Sequence, residues 1–106
     1  MRRVAVFTMN IGDYAPKIRE LTYPWVKHFA RKIGAEFIEI TEKKFHGWPV
    51  VYEKLQIHQL GRGYDWIYFF DADTLIHPEC IDFSWHLPDD TVLHNSQDMA
   101  HVRFRY

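Results

Sequence analysis

The chain of 106 residues contains a single cysteine, Cys80, which excludes an intrachain disulfide framework and a four-thiolate zinc site. Neither sign of charge dominates, because 13 lysine and arginine residues are balanced by 14 aspartate and glutamate residues. This balance argues against the broad basic surface of a nucleic-acid-binding protein. No apolar run approaches the roughly 20 residues of a membrane span, and the apolar stretch after Met1-Arg2-Arg3 is too short for a signal peptide. We therefore expect a cytoplasmic protein.

The composition is that of an ordinary globular domain. Hydrophobic residues make up 47% of the chain and charged residues 25%, a profile that argues against intrinsic disorder. Aromatic residues reach 17%, which supplies bulk for a core. No internal repeat, low-complexity tract or linker interrupts the chain. A length of 106 residues fits one small domain.

Three apolar runs predict β-strands. Val4–Met9 is nearly all apolar, as expected of a strand buried on both faces of a parallel sheet. Glu36–Ile40 predicts a second strand, and Trp66–Phe70 is the strongest buried-strand signal in the chain. Thr91–His94 predicts a further short strand.

Two segments between these runs predict helices. Apolar residues recur at helical spacing up to Gly34, with a kink or restart expected at Pro24. The expected inward positions are Ile18, Leu21, Trp25, Val26, Phe29 and Ile33. A second helix is expected from Trp48-Pro49 to Leu60, with Trp48, Val51, Tyr52 and Leu55 inward. Tryptophans 25, 48 and 66 are therefore expected in the core.

The alternation of strands and helices predicts an α/β domain with a mostly parallel sheet and right-handed crossovers. Ligands of such sheets bind at the carboxyl ends of the strands, where the strand order reverses. The loops after Met9 and Phe70 are therefore the expected place for chemistry. A sheet of three or four strands leaves its edges open, which favours a missing remainder or a partner.

Asp71-Ala72-Asp73 follows the most hydrophobic strand directly. Residues two apart on an extended chain point to the same side, so the two carboxylates are expected to lie together. Their mutual repulsion, and the apolar residues beside them, disfavour ionisation unless a cation is present. Hard divalent cations prefer carboxylate oxygens and complete their shell with phosphates and water. Seen alone, Asp-x-Asp is also compatible with a plain turn or helix cap.

The segment Tyr64–Ile76, which contains this motif, resembles the signature of nucleotide-sugar glycosyltransferases of fold type A. The resemblance is looser upstream, where Val4–Tyr14 is similar to the family's first strand and nucleotide loop, and Tyr52–Leu55 to its lysine-bearing helix. It implies a Rossmann-like three-layer sandwich with helices flanking a mostly parallel sheet. It also implies a hexosyltransferase that uses a nucleoside-diphosphate sugar.

Roles for individual residues follow from the resemblance. It implies that Asp71 and Asp73 hold Mn²⁺ or Mg²⁺ on the donor diphosphate, with Asp71 also near the ribose and the backbone of Ala72 approaching it. It also implies that Thr8 and Asn10 bind the nucleoside and that Tyr14 stacks on the base. Lys54 is implied to contact a phosphate or the donor sugar. The base is usually uracil, so the implied donor is a UDP-sugar.

Only 33 residues follow Asp73, fewer than the acceptor half of such enzymes needs. We therefore expect residues 1–106 to be the donor-binding half of a glycosyltransferase domain, truncated at its carboxyl end. The acceptor, whether sugar, lipid or protein, is open. Two alternatives remain: a phosphatase of the haloacid-dehalogenase type with Asp71 as nucleophile, and a non-catalytic nucleotide- or metal-binding module. Thr74 stands one place too early for the phosphatase motif.

Overall fold

A computed structural model describes residues 2–91 and gives a small α/β fold with a three-stranded parallel sheet and two α-helices. The elements are β1 (Val4–Met9), α1 (Pro16–Lys32), β2 (Glu36–Ile40), α2 (Ile57–Leu60) and β3 (Trp66–Phe69). Two 3₁₀ helices are added, the first over Val50–Gln56 and the second over Phe83–His86. The predicted α/β class is confirmed, and the predicted bounds of β1 and β2 are correct.

The strand order is β2-β1-β3, and both pairings are parallel. Val6 in the central strand β1 lies opposite Phe37 of β2 and Tyr68 of β3. The first five residues of β1 are buried, because this strand has a neighbour on each side and is covered on both faces. The continuous apolar run at Val4–Met9 is the sequence signal of that central position.

Alternate residues of β1 contribute to two separate cores. Val6 packs with Val26 and Phe29 of α1 on one side. Ala5 and Phe7 pack on the other side, where Ile57 of α2 and Ile40 of β2 contribute to the cluster, together with partly buried Ile11, Ile38, Tyr64 and Phe69. Successive side chains of a strand point to opposite faces, so a single apolar strand supplies both clusters.

The inward face of α1 differs in part from the predicted one, in which Val26 and Phe29 are correctly placed. The helix runs unbroken through Pro24, so the predicted restart does not occur. Ile18, Leu21 and Trp25 were expected inward, but they are 42%, 70% and 42% exposed. The buried positions are instead Thr22, Tyr23, Val26, Phe29 and Ala30. Two hydrogen-bonding side chains therefore take inward places that the apolar spacing assigned elsewhere.

The second predicted helix is also different. It begins as the first 3₁₀ helix and continues as the four-residue α2, ending before Gly61. All four residues predicted to point inward are exposed: Trp48, Val51, Tyr52 and Leu55. The buried side chains of this segment are Glu53 and Gln56. Of the three tryptophans expected in the core, only Trp66 is half-buried.

The strand predicted at Thr91–His94 lies outside the described residues except for Thr91. Over the part of the chain that is described, no helix has the length and apolar character needed to cross a membrane.

Candidate functional site

The carboxyl ends of β1 and β3 lie side by side. β1 is the central strand, and the chain passes from it to β2 on one side before crossing to β3 on the other. The Phe70 amide donates to the carbonyl of Phe7 at 2.9 Å, so the pairing extends one residue beyond β3. An order of this kind opens a crevice between the two strands at their carboxyl ends. The loop after Met9 and the aspartate segment are therefore brought to one edge, as the sequence predicts.

The two aspartates lie in a tight turn. The Thr74 amide donates to the Asp71 carbonyl at 2.9 Å, which closes a turn over residues 71–74. The prediction that Asp71 and Asp73 lie two apart on an extended chain is therefore wrong, because β3 ends at Phe69. Both aspartates are exposed. Their carboxylates are accessible to a solvent cation and to the ligands that such a cation would carry.

A hydrogen bond from α1 fixes the middle of this turn. The Thr22 hydroxyl donates to the carbonyl oxygen of Ala72 at 2.6 Å, and Thr22 itself is buried. The same hydroxyl lies 3.1 Å from the Ile18 carbonyl of its own helix. Sequence reasoning missed Thr22, since a threonine inside a helix gives no signal of a partner 50 residues away. The carbonyl of Ala72 is thus already engaged, and its predicted approach to a ribose stays a prediction.

Lys54 and Asp71 form an ion pair across this edge. The Lys54 ammonium lies 3.1 Å from Oδ1 of Asp71, with the two side chains 40% and 61% exposed. It also lies 5.2 Å from the centre of the Phe69 ring, within cation–π range. The structure therefore brings together two residues that the sequence assigned to one donor site from segments far apart in the chain.

Glu53, the neighbour of Lys54, is the least expected residue of the site. Its carboxylate has no exposed surface and accepts the backbone amides of Lys44, at 2.7 Å, and of Phe45, at 3.0 Å. Gln56 Nε2 adds a third donor at 2.8 Å. Burial raises the pKa of Glu53, but these hydrogen bonds more than offset that effect and hold the pKa below its ordinary value. The residue stays ionised.

The loop after β1 is held by Asn10. Its amide nitrogen Nδ2 donates to the Tyr14 carbonyl at 3.0 Å, and its backbone amide donates to the Ile40 carbonyl at 2.9 Å. Oδ1 of Asn10 is buried and has no hydrogen-bond partner within residues 2–91. Asp13 and Ala15 adopt φ angles of 50° and 47°, a left-handed conformation that costs non-glycine residues energy.

The other two predicted nucleoside contacts occupy opposite environments. Tyr14 is 70% exposed, so its ring is free to stack on a base. Thr8 is fully buried, and its hydroxyl lies 3.4 Å from the Tyr23 hydroxyl. Burial raises the pKa of the Tyr23 hydroxyl above its ordinary value. Thr8 packs inside the domain, and a direct contact between its side chain and a nucleoside stays a prediction.

The carboxylate oxygens at this edge are ligands that suit a hard cation. No group of three or more His, Cys, Asp or Glu side chains that could enclose a metal occurs among residues 2–91. Asp71 and Asp73 are two exposed acidic groups at this edge, and Asp71 already attracts the ammonium of Lys54. Mg²⁺ and Mn²⁺ commonly take one or two protein carboxylates and fill the other positions with phosphate oxygens and water. The two exposed carboxylates of Asp71 and Asp73 agree with this coordination preference.

An open groove of about 840 Å³ lies along the outer side of α1. It begins near the first loop, at Asp13 and Arg19, and neither Asp71 nor Asp73 lines it. The edge that carries the aspartates is therefore a separate surface.

Neither a family model, nor a curated protein, nor a solved structure matches this chain.

Proposed function

We propose that the chain is the donor-binding half of a metal-dependent glycosyltransferase of fold type A, which transfers a hexose from a UDP-sugar to a sugar, lipid or protein acceptor. The observation that carries this proposal is the meeting of Lys54 and Asp71, 3.1 Å apart, at the carboxyl edge between β1 and β3. The proposal includes a Rossmann-like three-layer sandwich for the whole domain and a cytoplasmic location.

Asp71 and Asp73 would hold Mn²⁺ or Mg²⁺ in this site. The bound ion would supply positive charge to the diphosphate that leaves when the glycosidic bond breaks. The turn over residues 71–74 presents both carboxylates to solvent, and Thr22 fixes its middle. Fixing the turn before the ligand arrives lowers the ordering cost of binding.

Lys54 would move from Asp71 to a phosphate oxygen when the donor binds. Exposed ion pairs contribute about 0–1 kcal/mol, so the separation of Lys54 from Asp71 costs little. The exchange leaves the Asp71 carboxylate to the cation and gives the ammonium a new anionic partner. Lys54 would therefore place positive charge beside the leaving group. Before the donor binds, it forms a weak ion pair with Asp71.

The nucleoside would lie over the loop after β1. Oδ1 of Asn10 is a buried acceptor without a partner among the described residues, which is unfavourable unless a ligand donates to it. Tyr14, exposed on the same loop, offers an aromatic face to the base. In this proposal Tyr14 contacts the base and Asn10 contacts the nucleoside. The contacts of Thr8 with the nucleoside and of the Ala72 backbone with the ribose stay predictions.

The proposal is tested by calorimetric titration with UDP, with and without Mn²⁺. We expect binding that requires the metal and that falls at least about tenfold in Asp73→Asn, equivalent to about 1.4 kcal/mol. Asp89→Asn is the matched control, because Asp89 is an exposed carboxylate at another place on the chain. UDP affinity that is indifferent to both Mn²⁺ and Asp73→Asn would contradict the proposal.

A further inference from the structure

We propose that Glu53 is a positioning residue for the Lys54 ammonium at the carboxyl edge between β1 and β3. Glu53 does this by joining the loop at residues 44–45 to the first 3₁₀ helix through hydrogen bonds, an arrangement called the clasp below. The juxtaposition of Lys54 with Asp71 is a feature of the described structure. The consequence for ligand binding rests on the proposed function, because it requires that Lys54 contacts a diphosphate.

The clasp consists of one carboxylate and three donors from two segments. Oε1 of Glu53 accepts the Lys44 amide, and Oε2 accepts the amide of Phe45. Nε2 of Gln56 also donates to Oε1. A carboxylate that accepts consecutive backbone amides fixes the loop and the helix relative to each other, since charged hydrogen bonds are about twice as strong as neutral ones.

Gln56 connects a further part of the loop. Its Nε2 donates to the Glu42 carbonyl at 2.7 Å as well as to Glu53. The loop after β2 is thereby tied at residues 42, 44 and 45, all through side chains of the first 3₁₀ helix. This helix therefore takes its position from the polar clasp at its inner side.

Apolar packing gives the first 3₁₀ helix little other support. Val51, Tyr52 and Leu55 are 57%, 45% and 62% exposed. The helix has no side-chain cap at its amino end, and 3₁₀ geometry provides weaker internal hydrogen bonds than an α-helix. The buried residues Glu53 and Gln56 are thus its main attachments among its own side chains.

Lys54 follows Glu53 directly, so the position of one backbone sets that of the other. A lysine side chain has a flexible four-carbon stem, which by itself does not fix the ammonium. With its Cα held by the clasp, Lys54 reaches Asp71 and the face of the Phe69 ring. Without the clasp, the same ammonium samples more positions and spends less time at the edge.

A double-mutant cycle on UDP binding with Mn²⁺ tests the inference. Glu53→Gln replaces one acceptor oxygen by an amide that faces backbone donors, and Lys54→Met removes the ammonium. We expect each single variant to weaken UDP binding by about tenfold. In the Lys54→Met background, Glu53→Gln has no further effect, because the clasp acts through the lysine. Glu20→Gln, an exposed glutamate of α1, is the matched control and leaves affinity unchanged.

Two outcomes of the cycle overturn the inference. Unchanged UDP affinity in Glu53→Gln shows that the clasp does not position Lys54 for the ligand. Losses that add in the double variant show that Glu53 acts independently of Lys54, as a purely structural residue does.

A measurement without nucleotide separates this inference from the proposed function. The ¹³Cε and ¹⁵Nζ signals of Lys54 report its ion pair, with Asp71→Asn as the reference for a broken pair. We expect Glu53→Gln to shift these signals toward that reference, and an unshifted signal overturns the inference. If wild-type protein does not bind UDP but the shift occurs, the proposed function fails and the positioning role stands.

Gln56→Met serves as a second variant if Glu53→Gln does not fold. It removes one donor of the clasp and leaves the two backbone amides on Glu53 in place. We expect a smaller shift of the Lys54 signals in the same direction. A Gln56→Met protein with wild-type Lys54 signals and wild-type UDP affinity contradicts the inference.

Discussion

The hydroxyl of Thr22 donates a hydrogen bond to the carbonyl oxygen of Ala72, 2.6 Å away. Thr22 lies on α1, and Ala72 lies between the two aspartates of the proposed metal site. The bond therefore links the helix that covers one face of the sheet to the turn at its carboxyl edge. The buried side chain of Thr22 therefore helps to set the position of the exposed carboxylates of Asp71 and Asp73.

Replacing Thr22 by valine removes the donor and keeps the branched shape of the side chain. We expect a loss of about 1 kcal/mol in the free energy of unfolding, the usual contribution of a hydrogen bond. We also expect weaker UDP binding in the presence of Mn²⁺, because the turn over residues 71–74 is less ordered before binding. Urea denaturation and calorimetry measure the two effects.

Thr22→Ser is the matched control, since it keeps the hydroxyl and removes only a methyl group. We expect it to retain most of the UDP affinity that Thr22→Val loses. Equal affinity in wild type and Thr22→Val would show that the link to Ala72 does not support the site.

Asp82 makes stability depend on pH. Its carboxylate accepts hydrogen bonds from Arg2 at 3.1 Å, from the Tyr68 hydroxyl at 2.5 Å, and from the amide and hydroxyl of Ser84 at 3.1 and 2.5 Å. Burial raises the pKa of Asp82, but the hydrogen bonds lower it by more than burial raises it. The pKa in the folded protein therefore lies below the ordinary 3.8. A depressed carboxyl pKa stabilises the fold above the unfolded pKa, and this stabilisation is lost as pH falls through the folded value.

We therefore expect Asp82→Asn to lower the free energy of unfolding by about 1–3 kcal/mol at pH 7. The difference from wild type shrinks as pH falls from 3.8 through the lower folded pKa of Asp82, because the wild-type carboxyl is also neutral below that folded pKa. Urea denaturation at a series of pH values measures it, with exposed Asp89→Asn as control. A difference that stays constant from pH 7 to the acid limit would contradict this account of Asp82.

Gly61 lies at the junction between α2 and β3, where the packing leaves no room for a side chain. A Cβ at this buried position would lie 2.7 Å from the Ile57 carbonyl oxygen and 2.3 Å from Cδ1 of Ile67. The backbone oxygen cannot rotate away as a side chain can, so we expect Gly61→Ala to destabilise the fold by about 1–3 kcal/mol. Gln59→Ala, on the exposed side of α2, is the control for thermal or urea denaturation. Equal stability of the two variants would contradict the packing at this junction.

The strands of the sheet could be predicted because burial on both faces leaves a simple record in the sequence. Val4–Met9 is apolar except for Thr8 because β1 has neighbours on both sides and a core on each face. The predicted end of β3 lies one residue too far along the chain, since Phe70 continues the apolar run and still donates to Phe7. Apolar pattern alone does not separate a strand from the residue that follows it.

The helix faces could be predicted only in part, because some of their buried positions are polar. Val26 and Phe29 are buried as predicted. Thr22 and Tyr23 point inward where they form hydrogen bonds with Ala72 and Thr8. Glu53 is buried because it accepts backbone amides from a loop. Such partners are defined by the tertiary fold, so apolar spacing assigned the inward places to other residues.

Some residues of the candidate site could be proposed from the sequence, and others are apparent only from the fold. Asp71 and Lys54 could be proposed from residue type and from a family resemblance, and the fold brings them within 3.1 Å. Thr22 and Glu53, which hold the two segments in place, carry no local signal. The tight turn that presents the aspartates also replaces the extended chain that strand periodicity predicted.

Electron paramagnetic resonance of free Mn²⁺ tests most directly whether the two aspartates and a donor diphosphate share one ion. Binding is measured for wild type and Asp73→Asn, each with and without UDP, after subtraction of the Mn²⁺ that UDP binds alone. Linkage requires that UDP and Mn²⁺ strengthen each other's binding equally. We predict that UDP raises the Mn²⁺ affinity of wild type by about tenfold, and that Asp73→Asn loses this increase. Identical Mn²⁺ titrations for the two proteins in the presence of UDP would contradict the account.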